Sequence, residues 1–159
     1  MNRSAQCDYD SPLGRLRLVS NGSALTELRM DAERLPPPAA SHPDAILERA
    51  MRELDAYFQG VSTGFSVPVA GQGTEFQRQV WTALQQIAHG HTCSYGRLAA
   101  QLGRPTASRA VGMANGRNPI AIIVPCHRVI GADGRLTGYA GGLDRKRWLL
   151  RHEGLRIDE

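Results

Sequence analysis

The chain has 159 residues, of which 42% are hydrophobic, and its nineteen Lys and Arg against fifteen Asp and Glu give a net charge of +4. This length suits one domain or two small ones, and the composition is ordinary for a globular protein. No stretch approaches the ~20 apolar residues of a membrane span, and three cysteines without short spacing argue against a disulfide framework. With no signal-peptide pattern at the N-terminus, we expect a cytoplasmic protein that does not bind membranes.

The first predicted elements are two strands. Residues 15–20 and 24–30 alternate between apolar and polar side chains, which is the pattern of half-buried strands. Between them lie Asn21 and Gly22, a pair that predicts a two-residue hairpin turn. The sequence therefore begins its regular structure with a β-hairpin.

A helix is predicted next, over residues 43–59, where apolar residues recur at helical spacing. The stretch that follows it is rich in glycine and proline, which marks a boundary between domains. We therefore predict two domains, 1–70 and 71–159, the first being a small α/β unit with a structural role.

The second domain is predicted to be mostly helical. Thr74 and Gln77 have the spacing of a capping box and predict a helix that runs to about Ala88. Ser94 is predicted to cap a short helix, and Thr106 to cap another. Two short helices joined by a tight turn predict a helix-turn-helix.

The last elements are predicted from turn and capping residues. Asp133 and Gly134 predict a hairpin turn. Asp144 is predicted to cap a final helix that ends at Gly154. The fold class predicted for the whole chain is α+β, with a hairpin sheet and helix followed by a helical domain that contains the helix-turn-helix.

One cluster of reactive side chains indicates a catalytic site. The thiol of Cys126 is followed directly by the imidazole of His127 and the guanidinium of Arg128. A free thiol has a pKa of ~8.5, so little thiolate is present at neutral pH. Cationic neighbours and a positioned base increase the thiolate fraction. Cys126 is therefore predicted to be a nucleophile.

Several segments together match a known pattern in order and spacing. They are Gly73 to Gln77, Ser94 to Gly96, Ser108 to Gly112, Asn118-Pro119, Pro125 to Ile130 and Gly138 to Leu143. The chain resembles the O6-alkylguanine-DNA alkyltransferases, also called methylated-DNA–protein-cysteine methyltransferases. The resemblance implies direct-reversal DNA repair, in which an alkyl group moves from guanine O6 to the protein's own cysteine, once per molecule and without a cofactor.

The resemblance assigns three residues to the alkyl transfer itself. Cys126 is similar to the alkyl acceptor, which makes a one-step displacement at carbon and ends as a stable thioether. His127 is similar to the base that reaches this thiol through a bound water molecule. Glu153 is similar to the carboxylate that holds the imidazole in the right tautomer.

Two further residues are assigned to the catalytic set. Tyr95 is similar to the residue that donates a hydrogen bond to the guanine ring as negative charge develops there. Asn118 is similar to an asparagine that supports the turn before the active-site segment. The residues similar to those that form the wall of the family's substrate pocket are Val129, Tyr139, Ala140 and Gly141.

DNA binding is assigned to the second helix of the helix-turn-helix. Arg109 is similar to an arginine finger that fills the gap left by a flipped nucleotide. The residues expected to contact DNA with it are Thr106, Ala107, Ser108, Ala110 and Arg128. The resemblance implies a monomer that binds double-stranded DNA in the minor groove with little sequence preference.

Other functions remain open at this point. A non-reactive sensor of alkylated bases would share the fold but lack the cysteine, and a DNA-binding regulator would need no thiol chemistry. A cysteine hydrolase would need a carbonyl site that the sequence does not suggest. A metal site built from His89, His91 and Cys93 is not expected, because their spacing suits tetrahedral zinc poorly.

Overall fold

The computed structural model describes residues 4–38 and 42–157, and these divide into two compact units. The first unit runs to Gln72 and also contains Pro119–Ile123. The second contains Gly73–Asn118 and the chain from Val124 onward. The sequence pattern did not predict that a five-residue segment from the middle of the second domain joins the first unit.

The first unit is built on an antiparallel sheet with the strand order β1-β2-β3. The strands are β1 (Ala5–Ser11), β2 (Gly14–Ser20) and β3 (Leu25–Arg29). The two predicted strands are confirmed, but β1 was missed. As an edge strand it is half-buried along most of its length, so its sequence lacks the alternation that marks β2.

The connection between β2 and β3 differs from the predicted two-residue turn. Four residues join the strands, and the Asn21 side-chain carbonyl accepts from the amides of Ser23 and Ala24, each at 2.9 Å. Gly22 has a φ of 95°, which suits a glycine. The predicted length was wrong because the Asn21 side chain closes a wider turn.

The predicted helix of the first unit is confirmed as α1 (Ala45–Phe58). Asp44 caps its N-terminus by accepting from the Leu47 amide at 2.8 Å. The helix packs against all three strands and buries Leu47 and Leu54 completely. Burial of this apolar face provides most of the stability of such a short helix.

The segment Pro119–Ile123 continues the sheet beyond β3. The Leu28 amide donates to the Pro119 carbonyl at 2.9 Å, and the Ala121 amide donates back to Leu28 at 3.2 Å. Ile122 is fully buried with a φ of 70°, which is rare for a β-branched residue. The backbone between Asn118 and Val124 is thus held in a tight, defined path.

The second unit consists of four helices and a two-stranded parallel ladder. These are α2 (Glu75–Leu84), α3 (Tyr95–Gln101), α4 (Ser108–Gly116), α5 (Leu143–His152), β4 (Cys93–Ser94) and β5 (Val129–Ile130). The helix-turn-helix prediction corresponds to α3 and α4, and α4 packs against both α2 and α3. The predicted fold class is confirmed.

Helix ends in this unit agree only in part with the sequence predictions. The capping box of Thr74 and the cap by Ser94 are confirmed. Thr106 and Asp144 were wrongly predicted as caps, because α4 and α5 begin after Ala107 and Gly142, and neither makes a side-chain cap. The α2 helix ends at Leu84 rather than near Ala88. The residues that follow form tighter turns, in which amides donate to the carbonyl three residues before them.

The end of α5 follows the predicted signal. Gly154 has a φ of 93°, and the amides of Gly154 and Leu155 donate to the carbonyls of Arg151 and Leu150. This is the Schellman arrangement that a glycine after a helix favours. It places Glu153 at the last half-helical position, immediately after the helix.

Asp133 and Gly134 form a turn but not a hairpin. The Gly131 amide donates to the Arg135 carbonyl at 2.9 Å, while β5 pairs in parallel with β4 instead of with a following strand. The prediction was wrong because a turn signal does not identify the partner of a two-residue strand. Within the part of the chain that the structure describes, no helix combines the length and apolar composition needed to cross a membrane.

Candidate active site

The acceptor candidate Cys126 lies in a short 3-10 turn, Cys126–Arg128, directly before β5. Two asparagines hold its backbone from either side. Asn115 on α4 donates to the Cys126 carbonyl at 3.3 Å, and Asn118 donates to the Val124 carbonyl at 2.8 Å. The thiol is therefore carried on backbone that is fixed by one buried and one half-buried amide, as preorganised chemistry requires. Asn115 was not among the predicted site residues.

Burial raises the pKa of the Cys126 thiol, and a hydrogen bond from Asn118 and the charge of Lys146 oppose this shift without overcoming it. The thiol is 6% exposed. The expectation that cationic neighbours increase the thiolate fraction is thus not met in the resting protein. A base has to remove the proton as the reaction proceeds.

His127 is placed to act as that base. Its Nε2 lies 2.7 Å from Oε2 of Glu153, and both side chains are fully buried. Because a carboxylate accepts only, the Nε2 atom carries the proton and Nδ1 presents its lone pair. Among the residues that the structure describes, no group hydrogen-bonds to Nδ1. Burial lowers the pKa of His127 despite the Glu153 carboxylate, so the imidazole is neutral and free to accept a proton.

Arg128 does not face outward as predicted. Its Nε and Nη2 donate to Oε1 and Oε2 of Glu153 at 2.8 and 3.0 Å, and Nη1 donates to the Ile87 carbonyl at 2.6 Å. The side chain is 7% exposed. The assignment of Arg128 to DNA contact was therefore wrong, because its guanidinium is buried and paired with Glu153.

Glu153 is the centre of this buried cluster. Burial alone raises a carboxyl pKa, but the hydrogen bonds from His127 and Arg128 outweigh it and hold the pKa of Glu153 well below its usual range. The carboxylate is thus charged at all ordinary pH values. It fixes the orientation of His127 and is itself fixed by Arg128 in a bidentate pair.

Lys146 on α5 was missed by the sequence analysis. It is fully buried, and its Nζ donates to the carbonyls of Val129 and Thr137 at 2.7 and 2.9 Å. Burial lowers its pKa to about 8, against the opposing influence of Cys126. One signal could have revealed it, since it is the only lysine in a chain rich in arginine. The ammonium ties β5 to the loop of residues 131–142.

Substituting Lys146 by methionine should destabilise the protein. The two carbonyls lose their buried donor, which costs about 1–3 kcal/mol for an unsatisfied polar group. Urea denaturation of Lys146→Met measures this loss of unfolding free energy. Arg156→Met, at an exposed cation of the same unit, is the control. Equal stability of the two variants would contradict the role assigned to Lys146.

Tyr95 is the first residue of α3 and faces the same loop. Its hydroxyl lies 2.7 Å from the Thr137 hydroxyl, and its ring lies 3.5 Å from the position of a β-carbon at Gly112. Ser94 caps the helix by accepting from the Arg97 amide at 3.1 Å, and thereby sets where α3 begins. The phenol is thus positioned by a helix start, a loop residue and α4.

The predicted pocket wall is spread over β5 and the 131–142 loop. Val129 is fully buried, whereas Ala140 is exposed and Gly141 is half-buried. The Tyr139 hydroxyl is buried without a hydrogen-bond partner among the described residues, and burial raises its pKa well above the ordinary value. The negative charge of Cys126, when the thiol is ionised, also raises this pKa.

The predicted DNA-binding residues lie along the start of α4. Arg109 is exposed, as are Thr106, Ser108 and Ala110, while Ala107 is half-buried. The opposite face of the helix, with Val111, is buried against the rest of the unit. The start of the helix therefore presents one cation among small side chains. No group of three His, Cys, Asp or Glu side chains within residues 4–38 and 42–157 is arranged to hold a metal ion.

Comparison with known proteins covers most of the chain. Residues 75–155 match the family described as 6-O-methylguanine DNA methyltransferase, DNA binding domain, and residues 8–70 match the ribonuclease-like domain of the same proteins. A Mycobacterium bovis protein named methylated-DNA–protein-cysteine methyltransferase is 55% identical over 92% of this chain and 90% of its own length. A protein of the same name from Methanosarcina acetivorans is 48% identical over 92% of this chain and 96% of its own length.

A solved structure is similar over nearly the same extent. Mycobacterium tuberculosis OGT, crystallised in complex with DNA, is 53% identical, with a TM-score of 0.83 over 92% of this chain and 90% of that one. Sequence and fold therefore agree across both units. The chain belongs to the 6-O-methylguanine DNA methyltransferase family.

Proposed function

We propose that this chain repairs DNA by direct reversal, moving the alkyl group of an O6-alkylguanine to Sγ of its own Cys126. The observation that carries the proposal is the buried pair of His127 and Glu153 directly after the buried Cys126, in a chain whose relatives are named for transfer from methylated DNA to a protein cysteine. The chemistry needs a thiol and a base and no cofactor. Each molecule works once, because a thioether is not hydrolysed by water.

The proton leaves the thiol through the imidazole. Adjacent side chains point apart, so a water molecule carries the proton from Cys126 to Nδ1 of His127, a buried nitrogen with no partner among the described residues. Glu153 stabilises the imidazolium that forms, while Arg128 keeps the carboxylate in place. Sγ then bonds to the alkyl carbon as the bond from that carbon to O6 breaks.

The electrons of the broken bond go to guanine, which is neutralised by taking up a proton. Tyr95 donates a hydrogen bond to the ring while the negative charge develops, and a fixed donor at such a place lowers the barrier. Val129, Tyr139, Ala140 and Gly141 form the wall against which the base and its alkyl group lie. Asn118 supports the thiol from the preceding turn.

DNA is bound through α4 as a duplex, by a monomer, in the minor groove. Small residues at Ala107, Ser108 and Ala110 let the helix backbone approach the groove, and contacts to the backbone of DNA carry no sequence preference. Arg109 occupies the space from which the alkylated nucleotide has rotated. The charge of +4 favours DNA and makes binding weaker as salt increases.

Incubation with duplex DNA carrying a radiolabelled O6-methyl group on guanine tests the proposal. Label should move to the protein, stop at one methyl group per molecule, and map to the peptide that contains Cys126. A band shift without transfer of label would identify a lesion sensor, and multiple turnover would identify a hydrolase. Either result would contradict direct reversal.

Substituting Arg109 by alanine should slow repair of duplex DNA much more than transfer from a free O6-alkylguanine base. Rotating a nucleotide out of the stack costs a few kcal/mol, and Arg109 offsets that cost only where there is a stack to leave. Single-turnover rates on both substrates measure the difference. Arg104→Ala, at an arginine that stacks on Phe76 before α4, serves as control. Equal slowing on duplex and free base would show that Arg109 serves the fold or the chemistry instead.

A further inference from the structure

The hydroxyls of Tyr95 and Thr137 share one hydrogen bond, and this bond uses only one of their two donor protons. Oη of Tyr95 and Oγ1 of Thr137 are 2.7 Å apart, and each hydroxyl has one proton to donate and lone pairs that accept. Only one of the two protons lies between the oxygens. If Thr137 donates, the Tyr95 proton is available to another acceptor. If Tyr95 donates, the phenol offers only a lone pair.

The position of Thr137 is fixed by its backbone. Its carbonyl accepts from the buried Lys146 ammonium at 2.9 Å, and the same ammonium binds Val129 on β5. Its methyl group lies 3.5 Å from the position of a β-carbon at Gly131. The backbone of Thr137 is thus anchored to a buried ammonium, its methyl group lies on the side of Gly131, and its hydroxyl is directed at Tyr95.

We propose that Thr137 is a positioning residue that donates its proton to the Tyr95 hydroxyl and so directs the Tyr95 proton toward the guanine ring. This inference rests on the proposed function and deepens it, since it names what prepares Tyr95 as a donor. The arrangement matters most when negative charge develops on the ring, because a donor already in place needs no reorganisation. Donation into the phenol oxygen also polarises the Tyr95 O–H bond toward the base.

Single-turnover transfer from a labelled duplex containing O6-methylguanine tests the role of Thr137. Thr137→Val keeps the shape but removes the hydroxyl, and should slow transfer by about 3- to 10-fold, the effect of one hydrogen bond. Thr137→Ser keeps the hydroxyl and should react like the wild type. In a Tyr95→Phe background, Thr137→Val should cause no further slowing, because the hydroxyl it orients is already gone.

Two results would overturn the inference. If Thr137→Val slows transfer equally in the wild-type and Tyr95→Phe backgrounds, Thr137 acts through the fold and not through Tyr95. If Thr137→Ser is as slow as Thr137→Val, the methyl group rather than the hydroxyl is what matters. Duplex affinity, measured by titration for every variant, should be constant throughout. A wild type that takes up no label overturns the proposed function and this inference with it, whereas a reactive wild type with uncoupled variants overturns the inference alone.

Discussion

Replacing Cys126 by serine should abolish alkyl transfer and leave DNA binding unchanged. A hydroxyl is far less acidic than a thiol and, toward an alkyl carbon, a much weaker nucleophile, so the displacement should not proceed at a measurable rate with serine at this position. The helix α4 that binds DNA in our proposal is separate from the reacting atom, and serine is close in size to cysteine. Labelled-methyl transfer and gel-shift titration on the same preparation measure both properties.

Cys93 provides a matched control for this experiment. It is a second buried cysteine of the same unit, on β4, and burial raises its pKa as it does that of Cys126. Cys93→Ser should transfer the methyl group at the wild-type rate, because the Cys93 thiol donates to the Ser94 carbonyl instead of lying beside a histidine base in the described structure. Residual transfer by Cys126→Ser, or loss of transfer in Cys93→Ser, would place the acceptor elsewhere.

Replacing Glu153 by glutamine should produce the largest loss of stability of any single change in the second unit that we propose. Arg128 stays buried with its charge uncompensated, and breaking a buried pair in this way costs about 3–5 kcal/mol. His127 also loses the carboxylate charge that stabilises its imidazolium, so transfer should be lost even in molecules that remain folded. Urea denaturation and transfer assays at low temperature separate the two effects.

Asp144→Asn is the comparison, because Asp144 pairs with Arg147 at 2.9 Å on the surface and its side chain is fully solvated. An exposed pair of this kind contributes at most about 1 kcal/mol. If both variants lose the same small amount of unfolding free energy, the buried cluster around Glu153 contributes no more to stability than an exposed ion pair.

The pH dependence of stability follows from the same carboxylate. Because the pKa of Glu153 is lower in the folded protein than in the unfolded chain, its contribution is present above the ordinary carboxyl pKa of ~4.3 and is lost as the pH falls toward the folded value. The lowered pKa of His127 acts in the same direction, since the unfolded chain binds that proton first as the pH falls through ~6.5. Urea denaturation over a pH series should therefore show the wild type losing stability more steeply than Glu153→Gln as the pH falls below ~4.3, where the carboxylate contribution is lost.

Much of the fold could be predicted from the sequence, because the local sequence signals agree with the tertiary packing. The apolar alternation in β2, the capping box at Thr74 and the glycine after α5 each act within a few residues, and each is found in the structure. The nucleophile and its base were readable for the same reason, since Cys126 and His127 are neighbours in sequence. Glu153 was identified only through the family resemblance, and the structure brings it to His127.

The errors arose where a residue's role depends on a distant partner. Arg128 carries the charge expected of a DNA contact, and only the position of Glu153 on the end of α5 turns it inward. Strand β1 has little alternation of its own and forms because β2 offers it a complete antiparallel register. Lys146 has no motif, and its two carbonyl partners are assembled by the chain between β5 and α5.

The burial of Lys146 has a consequence for chemical labelling. Since it is the only lysine and its side chain is fully buried, the folded chain presents no lysine amine to solvent. An amine-directed ester therefore modifies this side chain only in molecules whose α5 has separated from Val129 and Thr137. The yield of modified Lys146 therefore measures how often this region opens beside the acceptor cysteine. The native sequence supplies this single reporter without any substitution.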